Sequence, residues 1–282
     1  MARLVTWAAL VVAAGVTVGC GPAKELPDAV PLTPDAGDTP PAVPAASDPA
    51  TKAYIEKVVK AYTGGKLELV AKGKASRVTL TGTMRDTSNP DTPISATRSI
   101  AAVWPDRASI VNDIVYQGKK MTIGSWLKRP NLVILEGNVE SPLSNRVEVE
   151  QNLASDVAAQ HWMGLLLPLT DPAAIVFDLR KQAFQQRPIQ ALKLSLGAYP
   201  LYQLYFDAKT DALLSVEYTL KEQGSRRRKQ WNMTEHKPGP AGLLLPSKME
   251  CRHDTVVVEE WAADKWEFPA TIDDAEFSPP KK

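Results

Sequence analysis

Hydrophobic and polar residues alternate with a period of two through residues 201–221, LYQLYFDAKTDALLSVEYTLK. Tyr202, Leu204 and Phe206 share one face, and Leu201, Gln203 and Tyr205 the other. Beyond a polar turn at 207–211, Leu214, Val216, Tyr218 and Leu220 oppose Ser215, Glu217, Thr219 and Lys221. This alternation predicts two half-buried strands joined as a hairpin. A lone hairpin leaves its apolar face in water, so the stretch belongs to a larger antiparallel sheet whose inner face something must cover.

The same period recurs before and after it. At 77–85, Val78, Leu80, Gly82 and Met84 face one way and Arg77, Thr79, Thr81, Thr83 and Arg85 the other. Further strands are predicted at 94–104, 108–116, 120–126, 131–139, 191–196, 229–234, 243–252 and 255–261. Their turns are signalled by Asn89-Pro90, Pro105-Asp106, Gln117-Gly118 and Arg129-Pro130. The total is ten or eleven strands. Helical spacing is confined to two places. Asp48 and Pro49 suit a helix start, with Ile55, Val58, Val59 and Tyr62 on one face and Gly64-Gly65 at the end, followed by a shorter helical piece at 66–72. Midway, Leu153, Val157, Trp162, Leu165 and Leu166 predict a helix over 152–167, and Thr170-Asp171-Pro172 starts a second one running to about 179. Pro168 makes this pair a jointed element. It either covers an apolar cleft as a movable lid or simply fills the core.

The first fifty residues do not share these periods. Arg3 precedes an apolar run at 4–18 that is shorter than a membrane span, which predicts a signal peptide over 1–19. The run ends in Thr17-Val18-Gly19-Cys20, which resembles the lipobox of bacterial lipoproteins, although Thr17 replaces the usual leucine. That resemblance implies cleavage before Cys20 and acylation of its thiol. Residues 20–50 then carry prolines at 22, 27, 31, 34, 40, 41, 44 and 49 and no aromatic residue, the composition of an extended, disordered tether. The folded domain is expected over 51–282.

Composition narrows the function by exclusion. A formal net charge of +1 argues against nucleic acid as partner. Of two cysteines, Cys20 is taken by processing, and Cys251 alternates with Met249 onto an inner face as a buried thiol, so no intrachain disulfide is expected. His161, His236 and His253 have no metal-ligand spacing, no serine lies in G-x-S-x-G, and Gly64-Gly65-Lys66 lacks the rest of a phosphate loop; no metal, cofactor or catalysis is expected. Asp273-Asp274 reads as a turn and cap. The run Arg226-Arg227-Arg228-Lys229 reads as a solvated hairpin or, alternatively, as a contact to anionic lipid headgroups.

In order along the chain, Ala61-Tyr62-Thr63-Gly64-Gly65, Val78-Thr79-Leu80-Thr81-Gly82-Thr83-Met84, Leu204-Tyr205-Phe206-Asp207, Ser215-Val216-Glu217-Tyr218, Gly242-Leu243-Leu244-Leu245-Pro246 and the closing Ile272-Asp273-Asp274-Ala275-Glu276-Phe277-Ser278-Pro279-Pro280 resemble the outer-membrane lipoprotein carrier family, the LolA/LolB-like proteins. The resemblance covers about 50–280. It implies a mainly β fold: an incomplete antiparallel β-barrel with helices over its concave face, binding a lipid, an acyl chain or a lipidated protein in an apolar cleft. Val78, Leu80, Met84, Trp162, Leu165, Leu166, Leu204, Phe206, Val216 and Tyr218 are the candidate cleft residues. The expected protein is a monomeric lipoprotein held to a membrane by acylated Cys20 and facing the periplasm, with the outer membrane favoured over the inner. The alternative is a structural or stress-sensing envelope protein that uses the same fold to contact a protein partner.

Overall fold

The computed structural model describes residue 43 and residues 46–280 apart from 67, 87, 88, 117 and 223. The expected signal peptide, Cys20 and most of the tether lie outside the described residues. Helix α1 (Pro49–Thr63) begins as the sequence predicts. The Asp48 carboxylate accepts from the Thr51 backbone N–H at 2.9 Å, Pro49 occupies the first turn, and Gly64 ends the helix in the left-handed conformation. Tyr54, Val58, Val59 and Tyr62 form its buried stripe, which packs on strands β7 and β12 defined below. A short helix α2 (Glu68–Lys72) follows.

The remainder is one sheet of thirteen strands among the described residues: β1 (Ala75–Asp86), β2 (Asn89–Val103), β3 (Arg107–Tyr116), β4 (Lys119–Lys128), β5 (Asn131–Glu136), β6 (Val139–Glu140), β7 (Ile175–Phe184), β8 (Arg187–Ser195), β9 (Tyr202–Asp207), β10 (Leu213–Glu222), β11 (Ser225–Pro238), β12 (Leu244–His253) and β13 (Val256–Glu267). Their order is β6-β5-β4-β3-β2-β1-β13-β12-β11-β10-β9-β8-β7, antiparallel throughout. Two meanders, β1–β6 and β7–β13, are thus stitched together where β1 pairs with β13, and the sheet stays open between β6 and β7. This is an incomplete antiparallel barrel. Close approach at the stitch demands glycine: a Cβ on Gly82 would lie 1.9 Å from the Glu260 carbonyl oxygen.

The expected elements differ from these in instructive places. The second central helix predicted to 179 is instead a single 3₁₀ turn, Pro168–Thr170, followed by β7. Ile175, Val176 and Phe177 suit a pleated ladder, and pairing with β8 from Ile175 opposite Ser195 outweighs their helical spacing. The first central helix starts at Arg146, six residues before the predicted position, because polar residues on its opening turns masked the period. Asn89 and Pro90 lie inside β2 and do not form the turn. Tip residues of β10 also shift: an irregularity between Leu213 and Ser215 puts Leu213, opposite Phe206, on the inner face and turns Leu214 outward. There Leu214 joins Ile189, Ala191 and Tyr205 in a small outer cluster, with Phe184 stacked on Tyr205 at 5.0 Å, so the outer face of this hairpin is not wholly wet.

At the C-terminus, Asp273 accepts from the Ala275 N–H at 2.8 Å and caps a 3₁₀ turn, Asp274–Phe277, as predicted. Phe277 and Ile272 pack on Ala75, Ala101 and Val103, covering part of the outer face.

Candidate functional site: a jointed cover on the inner face

Residues 141–174 connect one open edge of the sheet to the other, and to do so they cross its inner face. The crossing begins as helix α3 (Arg146–Val157), widens into a π turn at Ala158–Trp162, tightens to a 3₁₀ turn at Met163–Leu165, and passes through Leu166 at φ 56°. The left-handed conformation costs a residue with a Cβ roughly 1–2 kcal/mol, so surrounding packing holds Leu166 there. Gly164 lets the segment settle on the sheet, since a Cβ at that position would approach Pro246 to 3.1 Å. A π turn, two 3₁₀ turns and a left-handed residue within thirteen positions make this the most irregular path in the described chain.

All ten candidate cleft residues are buried, and all ten belong to one apolar cluster. Val78, Leu80, Met84, Leu204, Phe206, Val216 and Tyr218 come from the sheet; Trp162, Leu165 and Leu166 come from the cover. Trp162 has no exposed surface and meets Trp104 edge-on at 5.0 Å. The inner face is therefore filled by the protein's own side chains. The void beneath α3 beside Asp156 is about 30 Å³ and touches Met84 alone of the ten, a second void of about 10 Å³ touches Leu166, and a shallow groove of about 390 Å³ between α3 and Thr219, Leu220 and Lys221 touches none of them. Ligand pockets run to about 300–1,000 Å³, so neither enclosed void has room for an acyl chain.

Polar contacts hold the N-terminal part of the cover down, and sequence reasoning did not single them out. Arg98, on β2, is 3% exposed. Its guanidinium donates to Asn112 Oδ1 at 2.7 Å, to Gln160 Oε1 of the cover at 3.2 Å and to Glu259 Oε2 at 2.8 Å, and it stands 4.2 Å over the Trp261 ring. Lys229, on β11, is 2% exposed, with Asp156 Oδ2 and Glu222 Oε1 each 3.0 Å from its Nζ. The other Asp156 oxygen accepts from the Tyr218 hydroxyl. Further along, Arg129 Nε donates to Glu150 Oε1 at 2.6 Å, Asn152 Nδ2 to the Lys221 carbonyl at 2.9 Å, and the Tyr202 hydroxyl to the Ser155 carbonyl at 3.1 Å. His161 Nε2 meets Ser76 Oγ at 2.8 Å and the ring stacks on Trp266.

The electrostatics follow from burial. Burial pushes the Asp156 carboxyl above its usual range, with Lys229 and the Tyr218 bond pulling the other way. For Glu259 burial acts upward too, but Arg98 outweighs it and the carboxyl ends lower. Burial also disfavours charge on Lys229, yet Asp156 and Glu222 keep its ammonium protonated well past the ordinary range. The ring of His161 is neutral, its pKa pushed to about 3 by burial. Cys251 is a buried thiol pushed far up, as its alternation predicts. Lys229 corrects the solvated-hairpin reading of 226–229, since the last residue of that run points inward. One signal was available: Arg98 alternates with Ile94, Ala96, Ile100 and Ala102, and Lys229 with Trp231 and Met233, so each is a charge on an apolar face.

The class these features define is an open antiparallel half-barrel with a helical cover laid across its inner face. No family model and no curated protein matches the sequence. Among solved structures, the chain is similar to a LolA superfamily protein from Nitrosomonas europaea at 11% identity and a TM-score of 0.50, over 81% of this chain and 97% of that one. It is also similar to an outer membrane lipoprotein-sorting protein domain from Vibrio parahaemolyticus at 10% identity and a TM-score of 0.45, over 79% and 97%. LprF from Mycobacterium bovis is similar at 11% identity and a TM-score of 0.27, over 81% and 98%. The fold is LolA-like, as the resemblance in sequence implies.

Proposed function

We propose that the protein is a non-catalytic carrier or binding protein for a lipid, an acyl chain or a lipidated protein, tethered in the cell envelope by acylated Cys20 and facing the periplasm. One observation carries the reading: beside the regular helix α1, which meets the inner face through Tyr54 and Phe206, the rest of the apolar inner face of the open sheet is covered by one jointed crossing segment that is tied to the sheet at both ends. Lifting residues 146–170 exposes an apolar surface that strands from both meanders share. The joint lies between Trp162 and Pro168, where regular helix is already lost. Burial of a ligand's acyl chain against Val78, Leu80, Leu204, Phe206 and Val216 replaces the contacts that the cover gives up, at about 25 cal/mol per Å² of apolar surface.

A crosslink tests this. A Cβ on Gly73, in the turn that leads into β1, would stand 3.7 Å from the Leu165 Cβ, within the 3.5–4.5 Å or so that a disulfide spans. The pair Gly73→Cys/Leu165→Cys, oxidised, is expected to melt at or above the parent's temperature yet to lose uptake of a fluorescent fatty acid, with reduction restoring it. Unchanged uptake in the oxidised form makes the cover part of a permanent core. It would then leave the protein-contacting alternative, which needs no opened inner face, as the better reading.

A further inference from the structure

The Asp156 carboxylate sits in a cradle that the sheet supplies. One oxygen accepts from the Tyr218 hydroxyl on β10 and the other lies 3.0 Å from Lys229 Nζ on the adjacent β11. Both donors belong to the sheet, and the acceptor belongs to the cover. The void beside this carboxylate is bordered by Met84, Ile110, Leu153, Trp231 and Val258 and, on its polar side, by Arg85, Arg98, Gln160, His253 and Glu259, of which Arg98 already bonds Gln160 and Glu259. When α3 lifts, Tyr218 loses its acceptor and Lys229 keeps only Glu222. A neutral molecule entering the inner face leaves these donors, each 2% exposed, unmet and buried, which is costly.

We propose that Tyr218 and Lys229 form a binding site for the carboxylate head of a single-chain fatty acid, which the cover's own Asp156 occupies in the closed state. This rests on the carrier reading above and adds the ligand's head to it. A planar carboxylate offers the same two oxygens that Asp156 offers, and the exchange keeps the charge around Lys229 the same: one ammonium, Glu222 and one further carboxylate. A phosphomonoester dianion would add a negative charge beside Glu222. The acyl chain then runs along the face that the cover vacates, so head recognition and opening are one event: the ligand competes with Asp156 for the cradle.

Equilibrium dialysis of the full chain against radiolabelled palmitate and hexadecanol, which share a chain and differ in head, tests it. The parent is expected to bind palmitate about 100-fold more tightly, as sites built around a polar group discriminate. Asp156→Asn, which removes the charged competitor and keeps its shape, is expected to tighten palmitate about 10-fold and hexadecanol less. Tyr218→Phe is expected to reduce the palmitate preference about 10-fold, and Lys229→Met in the Asp156→Asn background to bring it near one. If the last variant does not fold, the two conservative ones still decide. A parent that binds both probes equally overturns the cradle and leaves the carrier reading standing, as does an Asp156→Asn variant that weakens palmitate. A parent that binds neither probe overturns both.

Discussion

The two ends of the cover meet the same sheet by different physics. From Trp162 to Leu169 the contact is dry: Trp162, Met163, Leu165, Leu166, Leu167 and Leu169 are buried in the main apolar cluster. From Glu150 to His161 the contact is lined with paired polar groups that reach six strands or their flanks: Arg129 after β4, Lys221 and Tyr218 on β10, Tyr202 on β9, Lys229 on β11, Arg98 on β2 and Ser76 on β1. Apolar contact is strong but indifferent to register, whereas hydrogen-bonded ions are satisfied in one arrangement only. The dry end therefore supplies adhesion, and the polar end fixes where the cover sits and gives it partners that can be exchanged.

The largest effect expected from breaking this contrast lies at the dry end. Trp162→Ala removes a fully buried ring that packs edge-on against Trp104 and leaves a cavity in its place. The domain should lose about 3–5 kcal/mol in urea unfolding. A loss below about 1 kcal/mol would mean that the cover contributes little adhesion there.

At the polar end, Arg98→Met should cost about 3 kcal/mol, because Glu259 is left with no cation and Gln160 with no donor in the space beneath α3. Its signature differs from that of Trp162→Ala. Hydrogen exchange should rise first in the turn at Ala158–Trp162 and the adjoining end of α3, where the bond to Gln160 is lost, with β1 and β13 still protected because their backbone ladder does not depend on Arg98. Equal loosening of sheet and cover would erase the distinction between the two ends.

How far the sequence reveals this arrangement depends on which residues speak with a period. In β1 and in the β9–β10 hairpin, alternation places Val78, Leu80, Met84, Leu204, Phe206, Val216 and Tyr218 inward without reference to anything distant, and all are buried. The cap at Asp48 and the stop at Gly64 are equally local. The cover is not. Its opening turns carry Glu150, Asn152, Ser155 and Asp156 toward the sheet, so the face that is polar by composition is the buried face, and helical periodicity misses its start. Residues 175–179 fail for the opposite reason: a short apolar run fits either period, and only the partner strand β8, a dozen residues on, decides. The pairs Arg98–Glu259 and Lys229–Asp156 span 161 and 73 residues, which no local pattern encodes, although a lone charge on an apolar strand face announces that some partner exists.

The smallest expected effect sits at the junction of the two ends and is read by pH. His161 is the last polar anchor before Trp162; it is bonded to Ser76 and stacked on Trp266. Burial lowers its pKa to about 3, against about 6.5 in an unfolded chain. Below about pH 6.5 the unfolded state therefore binds a proton that the folded state refuses, and stability falls as the solution is acidified until the folded ring itself titrates. The slope from one such group is about 1.4 kcal/mol per pH unit at most. His161→Asn, which keeps a polar group opposite Ser76 and removes the titration, should cost little at pH 7 and flatten the decline between pH 6 and 4 by up to about that amount per unit. The neutral-state cost and the slope separate in one set of urea titrations at several pH values. A variant whose stability falls with pH as steeply as the parent's would show that the imidazole at this junction reaches water, and that the dry end of the cover starts later than Trp162.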